Sequence, residues 1–379
     1  MRHIYLAATG QNRGKTTVSL GVMDGFERRG LSTGFMKPVG QRTIIEEGVP
    51  ADEDAVLMKS VFGLGEPLAR MSPVHIPRGF TQAYIEGRVV EDLPQRIRDA
   101  HASFAADRDI LLIEGTGHAG VGAVVGLSNA VVAAMLGAPA VIVSEGGVGR
   151  PIDEIVLNAA LFERHGVEVA GAIVNKVDLD AKPGLAKTLE QGLARHGIPL
   201  LGVLPYRPIL SNPTLAMVLE GVRGETIHPG PDLDQVIGGV AIGAMEPEHM
   251  LQRIGPRSLV IVPGDRADVI GAIVRAHRDG GEEGGDAVGL VLTGGYPPSD
   301  TTVDDIRRAD LFATLVPEDT YVVASEIHDL LVKTHPADVG KIAEIKALVW
   351  EYLFIDRLLA VATEVPLPVV APPEVSRPA

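Results

Sequence analysis

The sequence contains no cysteine, although it is 379 residues long. Without cysteine the chain has no disulfide bond, no thiolate ligand for a metal ion and no cysteine nucleophile. Such a composition is typical of proteins that work in a reducing compartment. We therefore predict a cytoplasmic location.

Positive charge is scarce as well. The chain has 34 Lys and Arg against 49 Asp and Glu, which gives a formal net charge of −15. Proteins that bind nucleic acids usually present a basic face to the phosphate backbone. The charge balance therefore argues against a nucleic-acid partner.

Long apolar runs are missing too. The longest one, near residues 130–143, is interrupted by Gly137 and Pro139. It is shorter than the ~20 residues that a membrane-spanning helix needs. The N-terminal segment MRHIYLAATGQ has too short an apolar run for a signal peptide and leads directly into a glycine loop. We therefore expect no membrane partner.

What the sequence does contain, over its first 205 residues, is a regular alternation of strand and helix patterns. Short apolar segments rich in Ile and Val indicate strands that are buried on both faces, as in a parallel sheet. These strands are predicted at His3–Ala8, Thr33–Val39, Asp109–Glu114, Ala140–Ser144, Val169–Asn175 and Leu200–Leu204. The predicted fold class is α/β, a parallel sheet of the P-loop NTPase type with helices on both faces.

The alternation pauses in the segment PYRPILSNP, and a second, smaller α/β unit follows. A chain of this length suits two domains. We predict a first domain over residues 1–212, a second over 213–353, and a proline-rich, disordered tail over 354–379.

A candidate phosphate-binding loop, ATGQNRGKTT, stands between the first predicted strand and the first helix. Glycines let backbone N–H groups turn toward an anion, and the helix N-terminus adds its dipole. In this pattern the lysine reaches the β- and γ-phosphates and the next hydroxyl reaches Mg²⁺. The predicted nucleotide-binding residues of the loop are Gly10, Gln11, Asn12, Arg13, Gly14, Lys15, Thr16 and Thr17. Thr9 stands where the usual pattern has its first glycine, so the loop is a variant.

Four other side chains are candidates for the same site. Glu114 ends the strand ILLIE, at the sheet edge where parallel α/β proteins bind ligands. It could hold magnesium or cap a helix. Asp54 is a second candidate metal ligand, with a plain helix N-cap as the alternative. Lys37 could bind phosphate or a substrate carboxylate, or lie at the surface. Asn175 begins the run NKVD and could contact a purine.

Taken in order, the segments YLAATGQNRGKTT, GFMKPVG, LLIEGTG, GAIVNKVD and LGVLPYRP closely resemble the dethiobiotin synthetase-like P-loop domains. More narrowly, they resemble the form found in the N-terminal region of long bacterial phosphotransacetylases. The later unit resembles the DRTGG domain that follows there, with its signature in Asp265-Arg266 and Thr293-Gly294-Gly295.

The resemblance implies a role for each matching position. Lys15 and Thr16 would bind ATP and Mg²⁺, and Asp54 and Glu114 would bind the metal. Lys37 would contact the substrate and the transferred phosphate, and Asn175 would contact adenine. The sequence also departs from true dethiobiotin synthetases. Their loop is of the GTDTxxGKT type, and they carry a small hydroxyl soon after Lys-Pro-Val. Here Gly40-Gln41-Arg42 intervene before Thr43.

Two functions are compatible with these residues. The first is a regulatory or sensory ATP-binding protein that forms a homodimer or higher homo-oligomer. Too few residues follow the second unit for a catalytic acetyltransferase domain, so we expect no phosphotransacetylase activity from this chain alone. The second is an ATP-dependent C–N ligase that phosphorylates a small carboxylate or carbamate for attack by an amine, with Lys15 and Lys37 as catalytic residues. The cobyrinic acid a,c-diamide synthases share the P-loop domain, but their glutaminase half uses a cysteine nucleophile. Because this chain has no cysteine, we expect no glutamine-dependent amidation from this chain alone.

Overall fold

The structure, a computed structural model, describes residues 1–179, 184–280, 286–328, 330 and 333–364. Its strands are β1 (Arg2–Ala8), β2 (Thr33–Met36), β3 (Val39–Gly40), β4 (Thr43–Glu46), β5 (Val49–Asp52), β6 (Val74–His75), β7 (Ile110–Glu114), β8 (Ala140–Glu145), β9 (Val169–Val177), β10 (Leu200–Pro205), β11 (Glu225–His228), β12 (Gly239–Ile242), β13 (Ser258–Pro263), β14 (Ala287–Thr293), β15 (Phe312–Leu315) and β16 (Thr363–Glu364).

The helices are α1 (Lys15–Arg28), α2 (Glu53–Phe62), α3 (Leu68–Met71), α4 (Phe80–Ile85), α5 (Leu93–Phe104), α6 (Asn129–Leu136), α7 (Gly149–Arg164), α8 (Leu185–Ala194), α9 (Pro208–Ser211), α10 (Leu215–Val222), α11 (Pro247–Leu251), α12 (Ala267–Asp279), α13 (Asp300–Arg308), α14 (Thr320–His328), α15 (Val339–Tyr352) and α16 (Ile355–Val361). In the described ranges, none of these helices has the length and apolar character needed to cross a bilayer.

A seven-stranded sheet forms the centre of the first unit, with the strand order β10-β9-β8-β1-β7-β2 and β16 paired to β1. The strands of the main order are parallel to their neighbours, and β16 is antiparallel to β1. The strands β7 and β8 are almost entirely buried, because helices cover their apolar residues. The α/β fold class predicted from the sequence is therefore confirmed.

The C-terminal helices belong to the first unit, which is a correction to the predicted domain boundaries. The compact units are Met1–Tyr206 together with the chain from Thr334, and Arg207–Lys333. Residues 334–353, which the sequence placed in the second domain, pack instead on the first unit, since α15 contacts α1 and β10. The buried apolar side chains of α15 pack against α1.

Two glycines of α1 explain how closely the C-terminal helices approach. A Cβ atom on Gly21 would lie 2.1 Å from Val349, and one on Gly25 would lie 2.6 Å from Ile355. Only glycine leaves room for these side chains.

The predicted disordered tail also needs correction over its first residues. Phe354 and the residues of α16 and β16 are described, and α16 buries Ile355 and Leu358. Arg29 and Asp356 form two hydrogen bonds of 2.6 and 2.8 Å. Residues 365–379 of the predicted tail lie outside the described residues.

The second unit is a smaller α/β domain with a five-stranded sheet in the order β11-β15-β14-β13-β12. Only β11 is antiparallel to its neighbour. One face packs on α12 through residues such as Val269 and Ile273, and the other on α10 and α14 through residues such as Val218 and Val323.

Residues of the DRTGG signature form hydrogen bonds within this unit. Arg266 pairs with Asp268 at 2.9 Å and donates to the carbonyl of Met245 at 3.1 Å. Gly294 and Gly295 have φ of 85° and 69° and donate to the carbonyls of Glu318 and Val316. These glycines permit the left-handed turn that joins β14 to the following segment.

A buried histidine pair near the amino end of β1 predicts acid sensitivity of the first unit. Nε2 of His3 faces the carbonyl of Gly137 at 3.1 Å and must therefore carry the proton. Nδ1 of His3 then accepts from Nε2 of His101 at 3.0 Å. Burial lowers the pKa of both imidazoles to about 4.

Between pH 6.5 and 4 the unfolded chain binds more protons than the folded one, so the free energy of unfolding falls as the pH falls. We expect each of the two histidines to contribute a loss of roughly 3 kcal/mol over this window. His101→Gln removes one titrating group and should flatten the dependence in urea titrations. His249→Gln, at an exposed position, should leave it unchanged. An identical slope for wild type and His101→Gln would contradict the assignment.

Candidate functional site

The loop predicted to bind phosphate joins β1 to α1, as the sequence indicated. Gly14 caps α1 in the left-handed region, with φ 85° and ψ 28°. A Cβ atom at this position would lie 2.0 Å from Nδ2 of Asn175. Both its backbone angle and its neighbour therefore require glycine here.

The backbone amides of this loop are free to receive an anion. Among the hydrogen bonds of the described residues, the N–H groups from Gln11 to Thr16 have no acceptor, and the first amide of α1 that does is that of Val18, bonded to the carbonyl of Gly14. Helix N-termini with unsatisfied amides attract phosphate oxygens. The loop therefore has the donors that a phosphate site needs.

The carbonyl groups of the same loop are tied to the end of β9. Nζ of Lys176 donates to the carbonyl of Asn12 at 2.8 Å, and Nδ2 of Asn175 donates to the carbonyl of Arg13 at 3.2 Å. The resemblance implied that Asn175 contacts adenine. The structure places its amide nitrogen on the loop backbone, so its contact with a base stays a prediction.

Ser144, Glu145 and Glu154, which the sequence did not single out as site residues, hold the loop from a second side. The guanidinium of Arg13 pairs with Glu145 and, at 3.4 Å, with Glu154. The hydroxyl of Thr9 donates to Glu154 at 2.8 Å and lies 3.1 Å from the hydroxyl of Ser144. This contact gives a physical reason for threonine at the position where the usual pattern has glycine.

Lys15 lies at the buried end of the loop, with 8% of its surface exposed. Its ammonium donates to the carbonyl of Gly117 at 3.4 Å. Burial, reinforced by the nearby charge of Lys37, lowers the pKa of Lys15 to about 8. At pH 7 most molecules therefore still carry the charge that a triphosphate would pair with.

Lys37 is buried, and the two predicted metal-binding carboxylates converge on it. Its Nζ lies 2.6 Å from Oδ2 of Asp54 and 2.7 Å from Oε1 of Glu114, and it also donates to the carbonyl of Gly115 at 3.3 Å. These contacts use all three donors of the ammonium. The alternative of a surface lysine is therefore wrong.

Thr16 and Ser19, both on α1, complete this network. The hydroxyl of Thr16 donates to Oδ1 of Asp54 at 3.0 Å. Ser19, which the sequence gave no reason to select, donates to Oε2 of Glu114 at 2.6 Å. The predicted metal group of Thr16, Asp54 and Glu114 is therefore brought together around Lys37.

Burial and neighbouring charges act against each other on the protonation of this network. Burial disfavours the charge on Lys37, but Asp54 and Glu114 outweigh it and raise the pKa of the ammonium. Burial likewise raises the pKa of Glu114, against the pull of Lys37. For Asp54 the attraction of Lys37 overcomes burial and lowers the pKa.

Asp52 and Asp54 divide two tasks between them. Oδ1 of Asp52 accepts the amide of Asp54 at 3.1 Å and so caps α2. Asp54 is thereby left to face α1 and Lys37. The helix N-cap, which the sequence left open as an alternative role for Asp54, is Asp52.

The donors around Lys37 are chemically suited to magnesium. Within the described ranges no three His, Asp or Glu residues form a cluster that could hold a metal ion alone. Mg²⁺, however, is usually held by one or two carboxylates together with waters and phosphate oxygens. Asp54, Glu114 and the hydroxyl of Thr16 offer only oxygen atoms, so they fit this ion when a nucleotide supplies the remaining ligands.

We predict that Gly14→Ala weakens ATP binding by roughly tenfold or more, because a methyl group would displace Asn175 and strain the backbone. Gly147→Ala is the matched control, since no atom lies within 4 Å of its added Cβ and its φ is not positive. Calorimetric titration with Mg-ATP measures both. Equal affinities for the two variants would contradict the tight packing inferred for Gly14.

Comparison with protein families agrees with the two units. A family model described as an AAA domain matches residues 2–214, and a model described as a DRTGG domain matches residues 217–330. The chain is similar to curated phosphate acetyltransferases. That of Pseudomonas aeruginosa is 27% identical over 326 residues, which cover 82% of this chain and 44% of the relative. That of Haemophilus influenzae is 23% identical over 403 residues, which cover 98% and 54%.

The chain therefore spans about half the length of the curated relatives it matches. Among solved structures, the septum site-determining protein MinD of Pyrococcus horikoshii, complexed with Mg-ADP, is 15% identical with a TM-score of 0.35. That match covers 55% of this chain and 83% of MinD. The CBS and DRTGG domains of the regulatory region of Clostridium perfringens pyrophosphatase are 19% identical with a TM-score of 0.24, covering 36% and 60%.

Proposed function

Because the chain belongs to the AAA domain family, whose model matches more than half of its residues, we propose that it binds ATP with magnesium and serves as a regulatory or sensory protein. The observation that carries this proposal is the loop from Gln11 to Thr16. Its amides have no protein acceptor among the described residues, and the buried Lys15 stands beside them. Such an arrangement is suited to a polyphosphate.

In this proposal the loop amides hold the β-phosphate and Lys15 pairs with the β- and γ-phosphates. Thr16, Asp54 and Glu114 hold magnesium, whose chemical contribution when bound is to neutralise charge across the phosphate oxygens. Asn175 keeps its place on the loop carbonyl and offers the rest of its amide to the base.

A regulatory role is supported by the ammonium of Lys37, which contacts both carboxylates at 2.6 and 2.7 Å. In this proposal the entry of magnesium with the nucleotide rearranges these contacts. Two arrangements of the site, one with and one without nucleotide, are what a sensor requires.

The second candidate is an ATP-dependent ligase of the dethiobiotin synthetase type. It is favoured by one observation: Lys15 and Lys37 are both buried, and they are near enough for the charge of Lys37 to lower the pKa of Lys15. There they could neutralise the phosphoryl group during transfer to a small carboxylate or carbamate.

Measuring ADP release from Mg-ATP separates the two candidates. The assay is run with the protein alone and with a panel of small amino and carboxylic acids. Tight ATP binding with negligible turnover in every mixture supports the sensor. Turnover that one acid stimulates, with loss of that stimulation in Lys37→Met, supports the ligase.

A cytoplasmic location and a homo-oligomeric state are further proposals. Light scattering measures the oligomeric state.

A further inference from the structure

Lys37 occupies the place between two carboxylates that a divalent cation would be expected to take. Its ammonium contacts Asp54 and Glu114 at 2.6 and 2.7 Å, and only 4% of its side chain is exposed. Glu114 is fully buried. The side chain of Asp54 is 28% exposed. Two carboxylates this close, one of them fully buried, favour a compensating positive charge, because partly desolvated like charges repel.

We propose that Lys37 is the internal counter-ion of this carboxylate pair in the nucleotide-free protein, and that its ammonium is displaced when a divalent cation enters. This inference rests on the metal site of the proposed function. It adds that the resting site is held closed by the chain's own lysine, which competes with the metal for the same oxygens.

The surroundings allow such an exchange without a change of fold. The backbone of Lys37 is fixed, since its amide donates to the carbonyl of Met71 at 2.7 Å. The side chain is a flexible four-carbon stem, so its ammonium can move while its Cα stays in place. Asp54 and Glu114 remain oriented by Thr16 and Ser19, which donate to the oxygen atoms that do not contact Lys37.

The competition has a consequence for cation binding without nucleotide. If Lys37 and the metal exclude each other, removing the ammonium must strengthen metal binding. An ammonium that stayed beside the metal would also repel it, so tighter binding is required by the exchange but is not unique to it. Lys37→Met tests the requirement, because methionine keeps the unbranched shape and lacks the charge, and the accessibility of the Lys37 amine in wild type separates displacement from side-by-side binding.

The test measures Mn²⁺ binding by electron paramagnetic resonance on the full chain, without nucleotide. We expect Lys37→Met to bind Mn²⁺ roughly tenfold or more tightly than wild type, because the uncompensated carboxylates then attract the ion. Added Mg²⁺ should also raise the melting temperature of this variant more than that of wild type. Lys187→Met, an exposed lysine of α8, should match wild type in both measurements. Equal or weaker Mn²⁺ binding by Lys37→Met would overturn the proposal.

A second variant checks that the gain arises at this carboxylate pair. Lys37→Met combined with Glu114→Gln removes one negative charge together with the positive one, and Gln can still accept from Ser19. The double variant should lose the gain in Mn²⁺ affinity. A double variant that keeps the full gain would show that the ion binds elsewhere, which also overturns the proposal.

The wild-type protein provides a measurement that does not depend on the folding of any variant. Acetic anhydride labelling with mass spectrometry reports the accessibility of each lysine amine. Saturating Mg²⁺ without nucleotide should increase the labelling of Lys37 relative to Lys176. Unchanged labelling of Lys37 would mean that its ammonium stays with the carboxylates. None of these measurements uses ATP, so they can fail while ATP binding by the loop is sound.

Discussion

Replacing Lys15 with alanine should abolish measurable ATP binding. The ammonium is the charged group at the buried end of the phosphate loop, and it is only 8% exposed. A hydrogen bond to a charged group contributes about 1.5–3 kcal/mol, and a triphosphate offers oxygens for two of them. The loss of two such contacts corresponds to a roughly 100-fold or greater weakening of Kd.

The measurement is calorimetric titration with Mg-ATP at pH 7, where most Lys15 side chains are charged. Lys187→Ala removes a lysine from the exposed face of α8 in the same unit and should bind ATP as wild type does. Circular dichroism should show that Lys15→Ala is folded. If its affinity for ATP is unchanged, the loop is not a phosphate site, and both candidate functions fail with it.

The first unit could be predicted well from sequence because its signals are local. Most predicted strands, such as Asp109–Glu114, match observed strands within a residue or two, since buried parallel strands are continuous apolar runs that end at polar residues. The strand predicted at Thr33–Val39 is the exception, because β2 ends at Met36. The same logic placed Glu114 at the carboxyl edge of the sheet, where the structure has it.

Partners that are distant in sequence could not be predicted. Ser19 lies inside a helix, and nothing in its local pattern shows that it will face Glu114. Glu154 is one of several acidic residues on α7, and only the fold brings it to Thr9. In the run Asp52-Glu53-Asp54, the choice of cap and candidate ligand depends on which carboxylate faces α1.

The position of α15 could not be predicted for a related reason. An amphipathic helix does not specify the surface that its apolar face covers. The information lies in α1, where Gly21 removes a side chain and makes a groove for Val349. A glycine inside a helix carries an intrinsic cost of about 1 kcal/mol, and close packing of this kind offsets it.

This packing leads to the second large expected effect: Val349→Asp should unfold the first unit or bring it close to unfolding. Val349 is fully buried against α1. The substitution loses about 1.5–3 kcal/mol of apolar burial and adds several kcal/mol for desolvating a carboxylate. That total is comparable with the 5–15 kcal/mol stability typical of a domain. Because α1 carries the phosphate loop at its N-terminus, ATP binding should be lost as well.

The same helix supplies the matched control. Val339, the first residue of α15, is 74% exposed, so Val339→Asp should change the stability by no more than about 0.5 kcal/mol. An acidic residue is also favourable at a helix N-terminus. Hydrogen exchange locates the effect: in Val349→Asp the amides of β1 and α1 should lose protection, while those of β13 and β14 keep it. The opposite result would be a loss of protection in β13 and β14 with β1 unaffected. In that case residues 334–353 stabilise the second unit and belong to it, as the sequence predicted.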